Sequence, residues 1–167
     1  LYFIADPKLV ALGIVPEESH EDIIRAEYEA YTRNAILQLR RIREGAQIEQ
    51  DHMRNRQMIV RWLMDKTEAI EVRERDGKTF YVMSDWQVFR EGVGELLADV
   101  QRIKSEGDYD AAKQLFETYG IYFDPTLRDQ VLERVALIDL PSYSGFVMPK
   151  LEPVTDGDGN ITDVQIS

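Results

Sequence analysis

Residues 48–66 read IEQDHMRNRQMIVRWLMDK, and the rest of the chain is arranged around this stretch. At helical spacing His52, Arg56, Ile59 and Leu63 follow one another along one side, with Met58 and Trp62 on a neighbouring ridge. Residues three and four apart stand one above the other on a helix. The first turns of that side are polar and the last are apolar. The spacing therefore predicts a helix over 48–66 that is anchored in a core at one end and presents His52 and Arg56 at the edge of a cleft. A single histidine on a helix is more often a surface or hydrogen-bonded structural residue than a catalytic one. The arginines have equally plain readings: Arg54 and Arg61 solvated, and Arg56 paired with Asp51 or Glu49 on a neighbouring turn.

Upstream, Ile24, Tyr28, Tyr31, Ala35, Leu39 and Ile42 recur at steps of three and four and predict a helix from about 20 to 43. Ser19 with Asp22 reads as a capping box, with Asp in place of Glu or Gln. Gly45 ends the helix. Glu21 and Asp22 at its start and Arg40, Arg41 and Arg43 at its end suit the helix dipole. Asp6, Pro7 and Gly13 mark a short helix before Pro16 breaks the chain. Downstream, IEVRERDGKTFYV switches to a two-residue period, and Asp76-Gly77 is the signal for a tight hairpin turn. That register sets Val72 opposite Tyr81 and Ile70 opposite Met83, and so small a hairpin needs helices to lie against.

Ser84 with Gln87 reads as a second capping box. The helix behind it, about 85–104, carries Phe89, Val93, Leu96, Val100 and Ile103 on one face. Gly92 and Gly94 within it mark a close contact with another helix. Gly107 ends it, and Asp108 caps a shorter helix to Tyr119, with Gly120 beyond. Asp124 and Pro125 open another helix to about Ile138, and Pro141 is its stop. The tail is extended, with Phe146–Met148 and ITDVQIS as candidate strands and Asp156–Asn160 as a turn. The fold class is mainly α: a helical bundle-like lobe with a small β-hairpin and a short C-terminal β extension. One domain spans 1–167, with its helices in 1–141 and the β-like tail in 142–167.

The chain has 167 residues, 44% of them hydrophobic and 31% charged, ordinary for a globular domain. No apolar run approaches the roughly 18 residues that span a bilayer, so no membrane partner is expected. A formal net charge of -11 repels phosphate backbones and argues against nucleic acid, including RNA on Arg54, Arg56 and Arg61. There is no cysteine, which excludes disulfides and thiolate chemistry and fits a reducing compartment such as the cytoplasm. The histidines are His20 and His52 alone, and no His-Glu-x-x-His, Walker A, G-x-G-x-x-G or G-x-S-x-G motif occurs. The Asp156–Asn160 run is no EF-hand: the twelfth position from Asp156 is Ser167 rather than Glu, and its flanks read as strands. A complete hydrolytic site is hard to assemble from these residues, so His52 needs partners from elsewhere.

Several blocks in order carry a resemblance: LYFIADPKLVALGIV, YTRNAILQLRRIR from Tyr31 to Arg43, EQDHMRNRQMIVRWL, RDGKTFYV, QRIKSEGDYDAAKQLFETYG, LPSYSGFVMPKLEPV and ITDVQIS. Together they resemble dipeptidyl peptidase III, a family of zinc-dependent exopeptidases, and its bacterial branch most closely. The resemblance implies a two-lobed enzyme with a wide cleft. It implies zinc held by a His-Glu-x-x-Gly-His helix and a later glutamate, neither of which this chain contains. The chain would then be the C-terminal part of the catalytic lobe, beginning just after the glutamate helix. The apolar start Leu1–Ile4 and the end within a strand read the same way.

By resemblance, His52, Met53 and Arg56 match the family's His-Met-x-x-Arg segment. His52 would be the catalytic and substrate-facing donor to the scissile carbonyl or its oxyanion, and Arg56 a second substrate-binding residue. Zinc, in the full-length parent, would polarise the carbonyl and activate water. No metal is expected on this chain alone, and it should be inactive by itself. The implied partners are a peptide substrate, cleaved to release a dipeptide from its N-terminus, and the remaining part of the peptidase chain. The alternative is a non-catalytic helical scaffold or interaction domain that keeps the peptidase-like framework.

Overall fold

The computed structural model describes residues 1–138 and 150–166. In chain order the elements are α1 (Lys8–Ala11), α2 (His20–Leu37), α3 (Asp51–Lys66), β1 (Ile70–Arg75), β2 (Lys78–Met83), α4 (Trp86–Glu106), α5 (Tyr109–Leu115), α6 (Pro125–Ile138), β3 (Leu151–Thr155) and β4 (Ile161–Ile166). The fold is mainly helical, with two small antiparallel hairpins, β1–β2 and β3–β4.

The expected apolar stripes find one another. Ile24, Tyr28 and Ala35 of α2, Val60 and Leu63 of α3 and Phe89 of α4 share one buried cluster. At its centre the fully buried rings of Tyr28 and Phe89 stack, with centroids 4.2 Å apart and planes 19° from parallel. The Tyr28 hydroxyl donates to the Leu1 carbonyl at 2.9 Å, so its polar tip is satisfied inside the core. Gly92 lets α4 approach α3 closely: a Cβ there would stand 2.6 Å from Leu63 Cδ2. A second cluster joins Leu39, Ile48 and Met53 to Phe123 and Leu127. Helix α3 thus bridges two cores. Its first turn is anchored by buried Met53, where the apolar periodicity predicted anchoring at the C-terminal end only.

The β1–β2 register is the predicted one, Val72 opposite Tyr81 and Ile70 opposite Met83. Asp76 and Gly77 both take positive φ, 51° and 69°, as the tight turn requires. The hairpin lies on α2 and is tied to α6. Arg134 donates to the Thr79 carbonyl at 2.8 Å and covers the Phe80 ring.

Several local expectations are corrected. Ser19 makes no side-chain cap, because residues 17–19 form a 3-10 turn that leads straight into α2. Helix α2 stops at Leu37 and tightens into a 3-10 turn over Gln38–Arg41. Ile42 is then extended, and α2 itself has no basic residue in its last turn. Helix α3 begins at Asp51 rather than Ile48, which is held by strand-like pairing. The cap of α4 is Asp85, whose Oδ1 accepts from the Gln87 and Val88 amides, while Ser84 donates to the Glu68 carbonyl. Asp108 caps α5 as expected, but that helix gives way after Leu115 to a π-helical turn over Phe116–Ile121. The strand expected at Phe146–Met148 lies outside the described residues, as does Pro141. The partner of Ile161–Ile166 is Leu151–Thr155. The Asp156 carboxylate accepts from the Asn160 side chain and from the Asp158 and Asn160 amides, which hold it below the usual carboxylate range.

Candidate functional site

The site is built on the first two turns of α3, and both sides of those turns are fixed by distant parts of the chain. On one side residues 46–48 pair with 121–123: the Ile48 amide donates to the Ile121 carbonyl at 2.8 Å, and the Phe123 amide to the Ala46 carbonyl at 3.2 Å. Arg54 turns back along its own helix entrance, donating to the Ile48 carbonyl and lying 3.9 Å from Asp51. Gln57, buried in the contact, donates to the Gly120 and Tyr122 carbonyls at 3.0 and 2.9 Å. Arg61 adds a bond of 2.8 Å to the Tyr122 carbonyl. The Gly120 carbonyl at the end of the π-helical turn and the Tyr122 carbonyl just after it face α3, which supplies the donors; a buried carbonyl without a donor would be costly.

On the other side stands Gln38, at the start of the 3-10 turn after α2 and only 5% exposed. Its Nε2 donates to the Met53 carbonyl at 3.0 Å, and its Oε1 accepts from Arg56 Nη1 at 2.9 Å. The Arg56 guanidinium lies 5.7 Å from the Tyr31 ring centroid. Burial raises the Tyr31 hydroxyl above its ordinary pKa, and the Arg56 charge works against that rise. The expected pairing of Arg56 with Asp51 or Glu49 does not form; Asp51 meets Arg54 instead. Among the described residues the polar partner of Arg56 is a neutral amide, and its Nε is buried with no acceptor. Arg56, Gln38, Asn34, Leu37, Arg40 and Arg41 line a recess of about 170 Å³. That recess carries positive charge on a chain whose net charge is -11.

His52 lies one turn before Arg56 on α3. It is exposed, makes no hydrogen bond among the described residues, and is not part of the recess wall. The helix brings the two residues onto one stretch of surface, but among the described residues His52 does not line the recess that Arg56 borders. His20 is structural: its Nε2 sits 2.8 Å from the Ile4 carbonyl. Among the described residues no three His, Asp or Glu side chains come together as a metal site. Gln38 is the residue that the sequence reading missed. Its signal was present: Tyr31, Ala35, Gln38 and Ile42 fall at steps of four, three and four, which puts an amide on the apolar stripe.

A second concavity, about 420 Å³, opens on the far side of α3, where Gln57, Arg61, Tyr81, Glu117 and Asp124 meet apolar walls. Burial raises the Tyr81 hydroxyl; Arg61 lowers it again and Asp124 raises it further. Two carboxylates face one arginine here, so this concavity leans acidic, unlike the recess around Arg56.

A family model described as Peptidase family M49 matches residues 1–136, most of the chain and all of the site just described. No curated protein matches the chain. On the family match the chain belongs to Peptidase family M49, the dipeptidyl peptidase III family.

Proposed function

We propose that this chain is the substrate-side part of a zinc-dependent dipeptidyl peptidase that releases dipeptides from peptide N-termini. In this reading residues 1–167 are one domain, the C-terminal part of the catalytic lobe in a longer peptidase of the bacterial branch. The observation that carries it is the family match, because the matched span contains the whole His52-Met53-x-x-Arg56 segment.

The geometry supports distinct roles. His52 is exposed and has no internal hydrogen bond to give up, so its ring N–H is free to meet a substrate oxygen. A donor aimed at the oxygen on which charge develops is worth roughly 3–4 kcal/mol of transition-state stabilisation. Arg56 is anchored at one guanidinium nitrogen and supported by Tyr31, and it borders an open recess. It suits a substrate carbonyl or carboxylate, orienting the peptide so that His52 faces the scissile bond. The described residues do not fit a zinc site, so metal ligation falls to the remaining part of the peptidase.

The test is dipeptidyl-naphthylamide hydrolysis by the full-length peptidase. His52→Ala should lower kcat/KM by roughly 100-fold to 1,000-fold. Its melting temperature should not change, since the side chain is exposed. Unchanged turnover in that variant would return His52 to a plain surface residue. A folded full-length protein with no zinc-dependent turnover would favour the helical scaffold. Residues 1–167 alone are expected to release no dipeptide, with or without added zinc.

A further inference from the structure

Arg56 is held differently from Arg54 and Arg61, the arginines that flank it on α3. Two residues earlier, Arg54 is closed on the Ile48 carbonyl and Asp51. Five residues later, Arg61 is closed on the Tyr122 carbonyl. Arg56 instead meets a buried side-chain amide, contributed by a turn 18 residues upstream. That amide is committed at both ends: its nitrogen to the Met53 carbonyl, its oxygen to Arg56. Such a contact fixes where a guanidinium points without cancelling its charge, which a carboxylate at the same place would do.

We infer that Gln38 is a positioning residue of the peptidase site: it sets the Arg56 guanidinium toward the recess as an uncompensated cation and locks the backbone turn carrying His52 and Arg56 against the end of α2. This rests on the reading of Arg56 as a substrate-binding residue. The bond to the Met53 carbonyl lies between the two proposed site residues in sequence, so Gln38 restrains the helix segment that presents both. The Tyr31 ring restrains the guanidinium from another direction.

The experiment is a double-mutant cycle on the full-length peptidase, with dipeptidyl-naphthylamide turnover as the readout and thermal melting as the control for folding. Gln38→Met keeps the length and volume of the side chain and removes both polar contacts. It should lower kcat/KM about tenfold when Arg56 is present, and by about threefold in an Arg56→Ala background, where only the bond to the Met53 carbonyl is lost. Gln38→Glu keeps an acceptor for Arg56 but neutralises the cation and gives up the donor to the Met53 carbonyl; it should raise KM severalfold. It also serves if Gln38→Met fails to fold. Equal losses from Gln38→Met in both backgrounds, or wild-type KM in Gln38→Glu, would overturn the inference. If Arg56→Ala itself leaves kcat/KM unchanged, the reading of Arg56 fails and this inference with it. If Arg56→Ala is damaging but Gln38 is not coupled to it, only the role of Gln38 fails.

Discussion

Replacing Gly92 by Ala sets two known effects against each other, and the structure decides between them. In the interior of a 21-residue helix, Ala is favoured over Gly by about 1 kcal/mol. The new Cβ, however, would stand 2.6 Å from Leu63 Cδ2 and 2.9 Å from Thr67 Cγ2. Neither neighbour is free to yield. Leu63 is fully buried within the main core, and the Thr67 hydroxyl is fixed at both ends, donating to the Leu63 carbonyl at 2.6 Å and accepting from the Ala69 amide at 3.1 Å. Overpacking a fixed contact costs about 1–3 kcal/mol, and two clashes place this site toward the upper end. The net expectation is a loss of about 1–2 kcal/mol, or roughly 3–6 °C in Tm for a chain of this size. Gly94→Ala is the control. Its Cβ would meet only the Tyr2 ring, 2.8 Å away near the start of the chain, where a small displacement suffices. That variant should match or exceed wild type. Urea titration followed by circular dichroism measures both. Gly92→Ala at wild-type stability or above, with Gly94→Ala below it, would refute the packing argument.

Other expectations follow from single contacts. Gln57→Met leaves the Gly120 carbonyl without its donor while Arg61 still serves Tyr122; it should cost about 1–3 kcal/mol in the urea midpoint and speed hydrogen exchange at the Ile48 amide. Asp85→Ala removes the true cap of α4 and should cost about 1 kcal/mol, whereas Ser84→Ala should cost less, a comparison readable from paired thermal melts. Burial pushes the Tyr28 hydroxyl up to about 12, so its neutral form is favoured in the folded state. The stability this gives is complete below the ordinary tyrosine pKa of about 10 and is lost as pH rises toward 12. Stability measured against pH should fall over that window, and Tyr28→Phe should make the fall shallower.

What could be read from the sequence was what depends on near neighbours. The Asp76-Gly77 turn fixed the hairpin register because both residues tolerate positive φ. Gly107 ended α4 in a left-handed conformation, and the stripe that begins with Phe89 and Val93 found its core. The failures share a cause as well. The end of α2 depends on Leu39 entering a different cluster from Ile24 and Tyr28, which periodicity alone cannot reveal. The π-helical turn and the pairing of 46–48 with 121–123 join segments more than 70 residues apart through backbone groups, and backbone pairing leaves no composition signal. Ser84 and Gln87 had the right spacing for a cap, yet Asp85 wins because its carboxylate reaches two amides while Ser84 is drawn to the Glu68 carbonyl. At the site, helical spacing set His52 and Arg56 on one side of α3, and only the resemblance assigned them roles. Their surroundings depend on Gln38, whose partners come from another helix.

The treatment of the arginines ties these points to function. The chain holds 31 acidic and 20 basic residues, so an arginine without a carboxylate is not short of candidates. Arg102 takes Asp99, Glu106 and Asp108; Arg25 takes Glu21; Arg73 takes Glu71. Two arginines that depart from this pattern, Arg61 and Arg134, close backbone carbonyls at junctions between elements. Arg56 closes no such junction. Its Nη1 is held by an amide, its Nε is buried without an acceptor, and its remaining edge borders an open recess. Holding a half-buried charge this way costs stability that a carboxylate partner would recover in part. On the proposed reading a cation kept at that cost has a use: the oxygen of a bound peptide would complete the partner set of Arg56.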